Sequence, residues 1–416
     1  MSKKKIVILG AGFGGLRAAM VLEKRLENFD LLNKYEIVLI DKNEYHTYTP
    51  LLYEIATVPD EISRKYDLKK FAAYNIPEII QGRKIRFCKD EVLHVDVPDS
   101  LAHLRRGELN FDFLIIALGS EADFFGIPGA PENAFVFKTY DDAVRLRDRI
   151  IYNYKEGETK VVVGGGGATG IELAAEIKNW LPKMEVCVLE AASSVLFGFD
   201  EKVIKKVSER LKNFGVGIKT NFKIKEVGEK QVVSENGENI LFDVFVWTGG
   251  VRAMFMAKDL PFKKERGDRI MIGGGLNCIP EGPDLKIYSR IYAIGDVSCL
   301  DNFETGKPAP LLARVAILQA DVVSRNIISE IRKDEGKVKR AAVYTFQPKK
   351  EYPYVVPVGG KFAVAKIGGI VISGFLGWIL KGLVELRYLL SIMRPWQAIK
   401  IWLAGLRVFM ENDNLG

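Results

Sequence analysis

The sequence predicts an α/β chain of two parallel-sheet halves followed by a C-terminal amphipathic helical region, and three observations carry that prediction. Two apolar runs, Ile6 to Leu9 and Val161 to Gly164, each lead through a glycine-rich turn into a helical pattern. Each unit then has a second apolar strand that closes on an acid, Asp41 in the first and Glu190 in the second. After Val371 the chain changes character, to long apolar stretches with tryptophan and scattered Lys and Arg. The length of 416 residues exceeds one ordinary core and suits two or three domains of roughly 100 to 200 residues each.

Composition removes several function classes. Hydrophobic residues at 48% and charged residues at 27% are ordinary globular usage, so disorder is excluded. A net charge of +7 is too mild a surplus to argue for nucleic acid, and none is expected as a partner. Cys88, Cys187, Cys278 and Cys299 lie far apart, which removes the spacing of disulfide exchange, zinc and iron–sulfur sites. His46, His94 and His103 have no second ligand at helical spacing, so no metal is expected. The basic start, Met1 to Lys5, runs straight into a strand and leaves no room for a signal-peptide h-region, which predicts a cytosolic chain with reduced thiols.

The first turn, Gly10-Ala11-Gly12-Phe13-Gly14-Gly15, joins a strand to the helix carrying Leu16, Ala19, Met20 and Leu22. Gly10 permits the tight turn, Gly12 lets the backbone approach a pyrophosphate, and Gly15 allows close helix–strand packing, while the helix N-terminus supplies N–H groups. Strand Tyr35 to Ile40 then delivers Asp41, whose carboxylate is placed to accept from an adenosine ribose. A glycine turn that merely packs does not explain the acid. The pattern repeats at Gly165-Gly166-Gly167-Ala168-Thr169-Gly170, with Glu185 to Leu189 as the strand that closes on Glu190. These are two Rossmann-like dinucleotide-binding units, and two in one chain imply two different nucleotides, one giving electrons to the other. Glu190 would repel a 2′-phosphate and favours NADH over NADPH.

Two later strands complete the first unit. Phe111 to Gly119 ends in Ala117-Leu118-Gly119, and Ile291 to Asp296 ends in Gly295-Asp296. Both resemble the strand ends that close around flavin in two-dinucleotide flavoproteins. Asp296 would then bond the ribityl or pyrophosphate portion, and a helix beginning near Pro310 to Ala313 would aim its N-terminus at the flavin pyrimidine.

On these segments the whole chain resembles the type II NADH:quinone oxidoreductases, single-subunit, non-pumping NADH dehydrogenases of the respiratory chain. The resemblance rests on GAGFGG at 10–15, HTYTPLLYEIATV at 46–58, VVVGGGGATGIELAAE at 161–176, VWTGGVRA at 246–253 and IYAIGDVS at 291–298. It implies non-covalent FAD on the first unit, NADH on the second, and a quinone approaching from the membrane side. It extends the cofactor-binding set to Phe13, Gly14, Lys42, Val92, Ala117, Gly119, Gly295, Ala313 and Arg314 on the first unit, and to Gly250 on the second. Glu172 matches a glutamate held near nicotinamide and flavin, although the helix dipole alone would favour a first-turn glutamate. One departure stands out. Relatives carry Ala-Gln-x-x-x-Gln beside flavin and quinone, where this chain has Ala313-Arg314-Val315-Ala316-Ile317-Leu318. Gln319 is one residue, about 100° of helix, out of register, so the quinone site is lined differently or the acceptor differs. Arg314 would instead bond a flavin carbonyl or a quinone oxygen.

The run Val371 to Met393 is apolar enough to suggest a membrane span, but the arithmetic opposes it. Its Val, Ile, Leu and Phe residues contribute roughly −4 to −7 kcal/mol, while Lys381, Glu385 and Arg387 cost about 7 to 10 kcal/mol if central. Phe375, Ile379, Leu383, Leu386 and Leu390 recur at helical spacing, and Trp396, Ile399, Leu403, Leu406 and Met410 repeat it beyond Pro395. Trp378, Trp396 and Trp402 with a Lys and Arg surplus suit a lipid bilayer surface, predicting a peripheral protein on the cytoplasmic side of the cell membrane. The alternative to that reading is that the same faces pack on the protein body or form a homodimer interface. Lys381 lies near the quinone or else snorkels to solvent or lipid phosphate.

The expected domains are an FAD-binding domain at 1–140 and 266–330, an inserted NADH-binding domain at 141–265, and a membrane-associating region at 331–416. The competing readings are a sulfide:quinone oxidoreductase, a reductase of a soluble acceptor, and a non-enzymatic NADH-sensing flavoprotein. Sulfide chemistry needs a cysteine near the C-terminus, and none follows Cys299. Quinone type and oligomeric state are not legible in the sequence.

Overall fold

The computed structural model describes residues 3–156, 159–282, 287–302 and 304–412. Residues 413–416 of the expected C-terminal region lie outside them. Met1–His46, Asn75–Glu121 and Val251–Lys350 form one compact unit; Thr47–Tyr74, Ala122–Gly250 and Glu351–Gly416 form a second.

In the first unit five parallel strands stand in the order Ile291–Ala293, Phe113–Ile116, Lys4–Leu9, Tyr35–Asp41 and Ile85–Lys89. Ile6 to Leu9 are fully buried, as a strand covered on both faces must be, which is why the run is continuously apolar rather than alternating. Helix Phe13–Asn28 packs along helix Ala313–Asp334. Small residues, Ala18 and Ala19 on one and Ala316 and Ala320 on the other, are buried there, and Arg17 pairs with Asp321 at 3.0 Å. An antiparallel meander, Val92–Asp96, Leu101–Leu104 and Gly107–Asn110, completes the unit's larger features.

The second unit repeats the plan. Its parallel order is Phe135–Val136, Val244–Trp247, Lys160–Gly164, Glu185–Leu189 and Gly217–Lys219. The glycine-turn strand is again central, with the acid-ending strand beside it. A second meander, Ile224–Val227, Gln231–Ser234 and Asn239–Leu241, follows.

The C-terminal segment departs from the sequence expectation. Tyr354–Pro357, Ala363–Ile367 and Ile370–Gly374 form an antiparallel sheet, so the apolar run begins as a strand and only becomes helix at Phe375. The hairpin at Gly368-Gly369 explains this: Ile367 faces Ile370 across a two-residue turn, with Gly368 at φ +58°. Helices Phe375–Ile392 and Pro395–Asn412 follow. The first lies so close on the sheet that a Cβ at Gly377 would stand 2.2 Å from the Ala363 carbonyl oxygen. Among the described residues no helix is long and apolar enough to cross a membrane.

Candidate nucleotide sites and an acid–lysine cluster

The two glycine turns share one hydrogen-bond plan. In the first, Gly10 N–H donates to Ile40 O at 2.7 Å; in the second, Gly165 N–H donates to Leu189 O at 2.8 Å. Both glycines have positive φ, +96° and +115°, which a side chain would strain. The acids close the turns: Asp41 accepts from the amides of Ala11 at 2.7 Å and Asn43 at 2.8 Å. Glu190 accepts from Gly166 and Ala192, both at 2.7 Å. Each carboxylate therefore spends one site per oxygen on its own turn and keeps acceptor capacity for a ribose hydroxyl. Burial pushes the Asp41 carboxyl up, opposed by its two amide donors and Lys42.

The remaining glycines divide between packing and access. A Cβ on Gly15 would lie 1.8 Å from Gly10 O, and one on Gly170 2.0 Å from Gly165 O, so helix and strand touch there. At Gly12 and Gly167 a Cβ would meet nothing within 4 Å. The open side of each turn is thus where an anion could meet helix-terminal N–H groups.

Around the first turn, Ser120 Oγ donates to Asp296 at 2.9 Å, and Gly295 N–H donates to Gln319 Oε1 at 2.7 Å. Gln319 is buried and holds the Gly295-Asp296 corner. Ala117 crowds Gly10, its carbonyl oxygen 2.4 Å from a Cβ placed there, and Gly119 has φ +73°. A Cβ on Gly14 would meet Ile294 at 3.2 Å and Ala316 at 3.5 Å. Lys42 is exposed, and Val92 is half-buried at the start of the meander. No side chain caps helix Ala313–Asp334, leaving its first-turn amides, Ala313 and Arg314, for an outside acceptor; the Arg314 residue is exposed.

His46 was not singled out by sequence reasoning as a site residue, although it opens one of the quoted segments. It is fully buried beneath the first turn with Nδ1 3.1 Å from the Ala11 carbonyl oxygen, edge-on to the Phe13 ring at 4.8 Å. Burial drives its pKa down to about 4, so the ring is neutral and Nδ1–H donates to that oxygen. The matching oxygen of the second turn, Gly166 O, accepts from the Leu196 amide at 2.8 Å instead.

At the second turn, Thr248 Oγ1 donates toward Gly164 O and Gly165 O at 3.1 Å each. Gly250 leaves room for the Phe125 ring, which a Cβ would meet at 2.4 Å.

The second unit also holds a group that spacing could not reveal. Lys381, on helix Phe375–Ile392, ion-pairs with Glu54 of the short helix Leu52–Ile55. Its side chain is only 14% exposed, which corrects the snorkelling alternative: a buried carboxylate draws the ammonium inward. Tyr53 Oη donates to Glu54 Oε1 at 2.9 Å, and Lys381 Nζ lies 5.4 Å from the Tyr53 ring centre. Glu54 Oε2 is buried with no hydrogen-bond partner among the described residues. Glu172 is half-buried, and burial raises its carboxyl pKa to about 8, with Lys381 pulling it down and Glu54 pushing it up. Buried Glu385 rises to about 7 for the same three reasons. Glu54 lay within a quoted segment and Glu385 within the apolar run, but neither carried a signal by itself.

The type II NADH:quinone oxidoreductase of Staphylococcus saprophyticus is 27% identical over 413 residues, covering 92% of this chain and 95% of that protein. A solved structure of NDH2 from Plasmodium falciparum in complex with NADH matches with a TM-score of 0.79 at 17% identity, covering 99% of this chain and 98% of that one. The sulfide:quinone oxidoreductase of Aquifex aeolicus matches at 0.75 and 16% identity, covering 96% and 92%. At those identities the two structures speak to the fold alone. They bear out the α/β expectation, and the staphylococcal relative bears out the resemblance to type II NADH:quinone oxidoreductases and the reading as an oxidoreductase enzyme. Residues 4–320 match the pyridine nucleotide-disulphide oxidoreductase family, and the chain belongs to that family.

Proposed function

We propose that the protein is a non-pumping NADH dehydrogenase that uses FAD and passes electrons to a membrane quinone. The observation that carries this reading is the pair of glycine turns with one geometry, each open at its third position and closed by a carboxylate with spare acceptor capacity. The first unit fits a flavin dinucleotide: Gly12 admits the pyrophosphate, Asp41 the ribose, Asp296 the ribityl portion, and the uncapped end of helix Ala313–Asp334 the pyrimidine. The second fits NADH, with Gly167 at the pyrophosphate and Glu190 at the adenosine ribose. This divides the chain into flavin segments at 1–140 and 266–330 and a nicotinamide segment at 141–265. When bound, the flavin supplies hydride acceptance and two-electron transfer to quinone. The chain's own residues orient and hold protons. Protonated Glu172 is a donor suited to the nicotinamide carboxamide, and the Lys381 ammonium offers charge to a quinone oxygen.

The tail supports delivery to a lipid-soluble acceptor. Leu376, Ile379, Leu383, Trp396, Ile399, Leu403 and Met410 are exposed, and Trp396 is 60% exposed. Arg387, Arg394, Lys400 and Arg407 are exposed alongside, a combination suited to the anionic cytoplasmic leaflet. The test is anaerobic: extracted cofactor should be FAD, NADH should bleach the flavin, and a quinone in vesicles should restore its colour. FMN, or flavin that NADH reduces but quinone does not reoxidise, would refute the assignment. Trp396→Ser with Leu403→Ser should release the protein from vesicles while NADH still bleaches the flavin.

A further inference from the structure

We propose that Glu385 and Glu54 form a proton-loading station for quinone reduction, Glu385 taking the proton up from the cavity between the tail helices and Glu54 passing it toward the acceptor. The inference rests on the quinone reading above and assigns positioning and relay roles to two residues it did not use. The net reaction, NADH plus quinone plus one proton giving NAD⁺ plus quinol, moves a hydride's two electrons and one hydrogen and consumes one further proton. That proton must reach an oxygen in a water-poor site, which needs a built path.

The second unit has the parts. A cavity of about 160 Å³ is lined by Glu54, Lys381 and Glu385 together with apolar residues including Trp378, Leu383 and Phe409. Glu54 is 7% exposed, and its Oε2 has no hydrogen-bond partner among the described residues. An orphan acceptor that deep costs stability, and an arriving proton or a proton-bearing group would satisfy it. Glu385 sits one helical turn beyond Lys381 on the same face. Tyr48 and Tyr74 face it from the other elements; Tyr48 stacks on Tyr388 at 5.2 Å. Their phenols are pushed well up by burial, as is that of Tyr388, so they stay neutral. Among the described residues the charged groups that act on Glu385 are therefore Lys381 and Glu54. Lys381 is already engaged by Glu54, and burial raises Glu385 to about 7, so its carboxyl is held protonated below that pH and refills from water through the cavity. Its sign follows: the loaded form is depleted as pH rises through 7.

The experiment uses the full-length, flavin-loaded protein with a short-chain benzoquinone and, in parallel, ferricyanide, an acceptor that takes electrons without protons. Glu385→Gln should lower quinone turnover roughly 10-fold more than ferricyanide turnover, in the range of one proton-transfer role. It should also abolish the fall of quinone turnover through pH 7, while Glu385→Asp keeps a pH-dependent limb. Infrared titration of the protein without quinone should show a protonated-carboxyl band lost near pH 7 and missing in Glu385→Gln. Equal loss with both acceptors, an unchanged pH profile, or persistence in Glu385→Gln of the component lost near pH 7, as distinct from the Glu172 component lost near pH 8, would overturn the proposal while leaving the quinone reading intact. Absence of quinone turnover in the unaltered protein would overturn both.

Discussion

The two glycine turns are built alike and loaded differently. Seven residues after the first glycine of each, the helix carries Arg17 in one unit and Glu172 in the other. Arg17 is neutralised within its unit by Asp321 on the neighbouring helix. Among the described residues Glu172 has no such counter-ion of its own and shares the Lys381 charge with Glu54 and Glu385, and burial raises its pKa to about 8. The cradle is thus generic, made of backbone, glycine and one acid. The two units differ in charge at the helix position that the turn does not use.

The comparison breaks hardest at the contact glycines. Gly15→Ala drives a methyl into the Gly10 carbonyl and should abolish flavin retention, whereas Gly170→Ala, with the same clash at Gly165, should keep flavin colour but prevent its bleaching by NADH. Absorbance before and after NADH addition reads both, and loss of flavin in Gly170→Ala would deny the division of labour.

A smaller asymmetry lies beneath the turns. Among the described residues only the first is held by a histidine, and its depressed pKa means that the neutral ring contributes stability above its unfolded value of 6.5, lost as pH falls toward about 4. The loss should be roughly 3 kcal/mol over that window. Thermal melts at pH 7 and pH 5 should show a larger drop for the unaltered protein than for His46→Gln, which has no ring to charge. Equal drops would remove His46 as the source.

Glu172 sharpens the comparison through pH. A carboxyl raised to about 8 is a hydrogen-bond donor below that pH and an acceptor-only anion above it. With NADH, kcat/KM should therefore fall by about 10- to 30-fold as pH passes through 8, through a rise in KM, consistent with loss of a hydrogen bond worth about 1.5 to 2 kcal/mol. Glu172→Gln should flatten the profile; a limb that survives would assign it elsewhere.

The gentlest test compares the two acids. Glu190→Gln removes a charge at the proposed ribose position and should narrow the preference for NADH over NADPH by about 10-fold, while Asp41→Asn should weaken flavin retention and leave nucleotide choice unchanged. Competition between the two nucleotides under steady state measures the first, and flavin release on dilution the second.

What the sequence determined by itself is local and periodic. Strand, glycine turn, helix and acid are consecutive along the chain, so their spacing alone implies the two parallel-sheet units and the residues that line each turn. The Gly368-Gly369 hairpin was equally local, flanked by Ile367 and Ile370, and the long apolar run masked it because such a run suits strand and helix alike. Tertiary structure alone decided the rest: Lys381 meets a carboxylate 327 residues away, and His46 finds the Ala11 oxygen 35 residues back. No spacing encodes such pairs, because an isolated Glu or His in an apolar stretch carries the same local signal whether it ends in water or in a cavity. Its ionisation is set by the neighbours and dielectric that only the folded chain supplies.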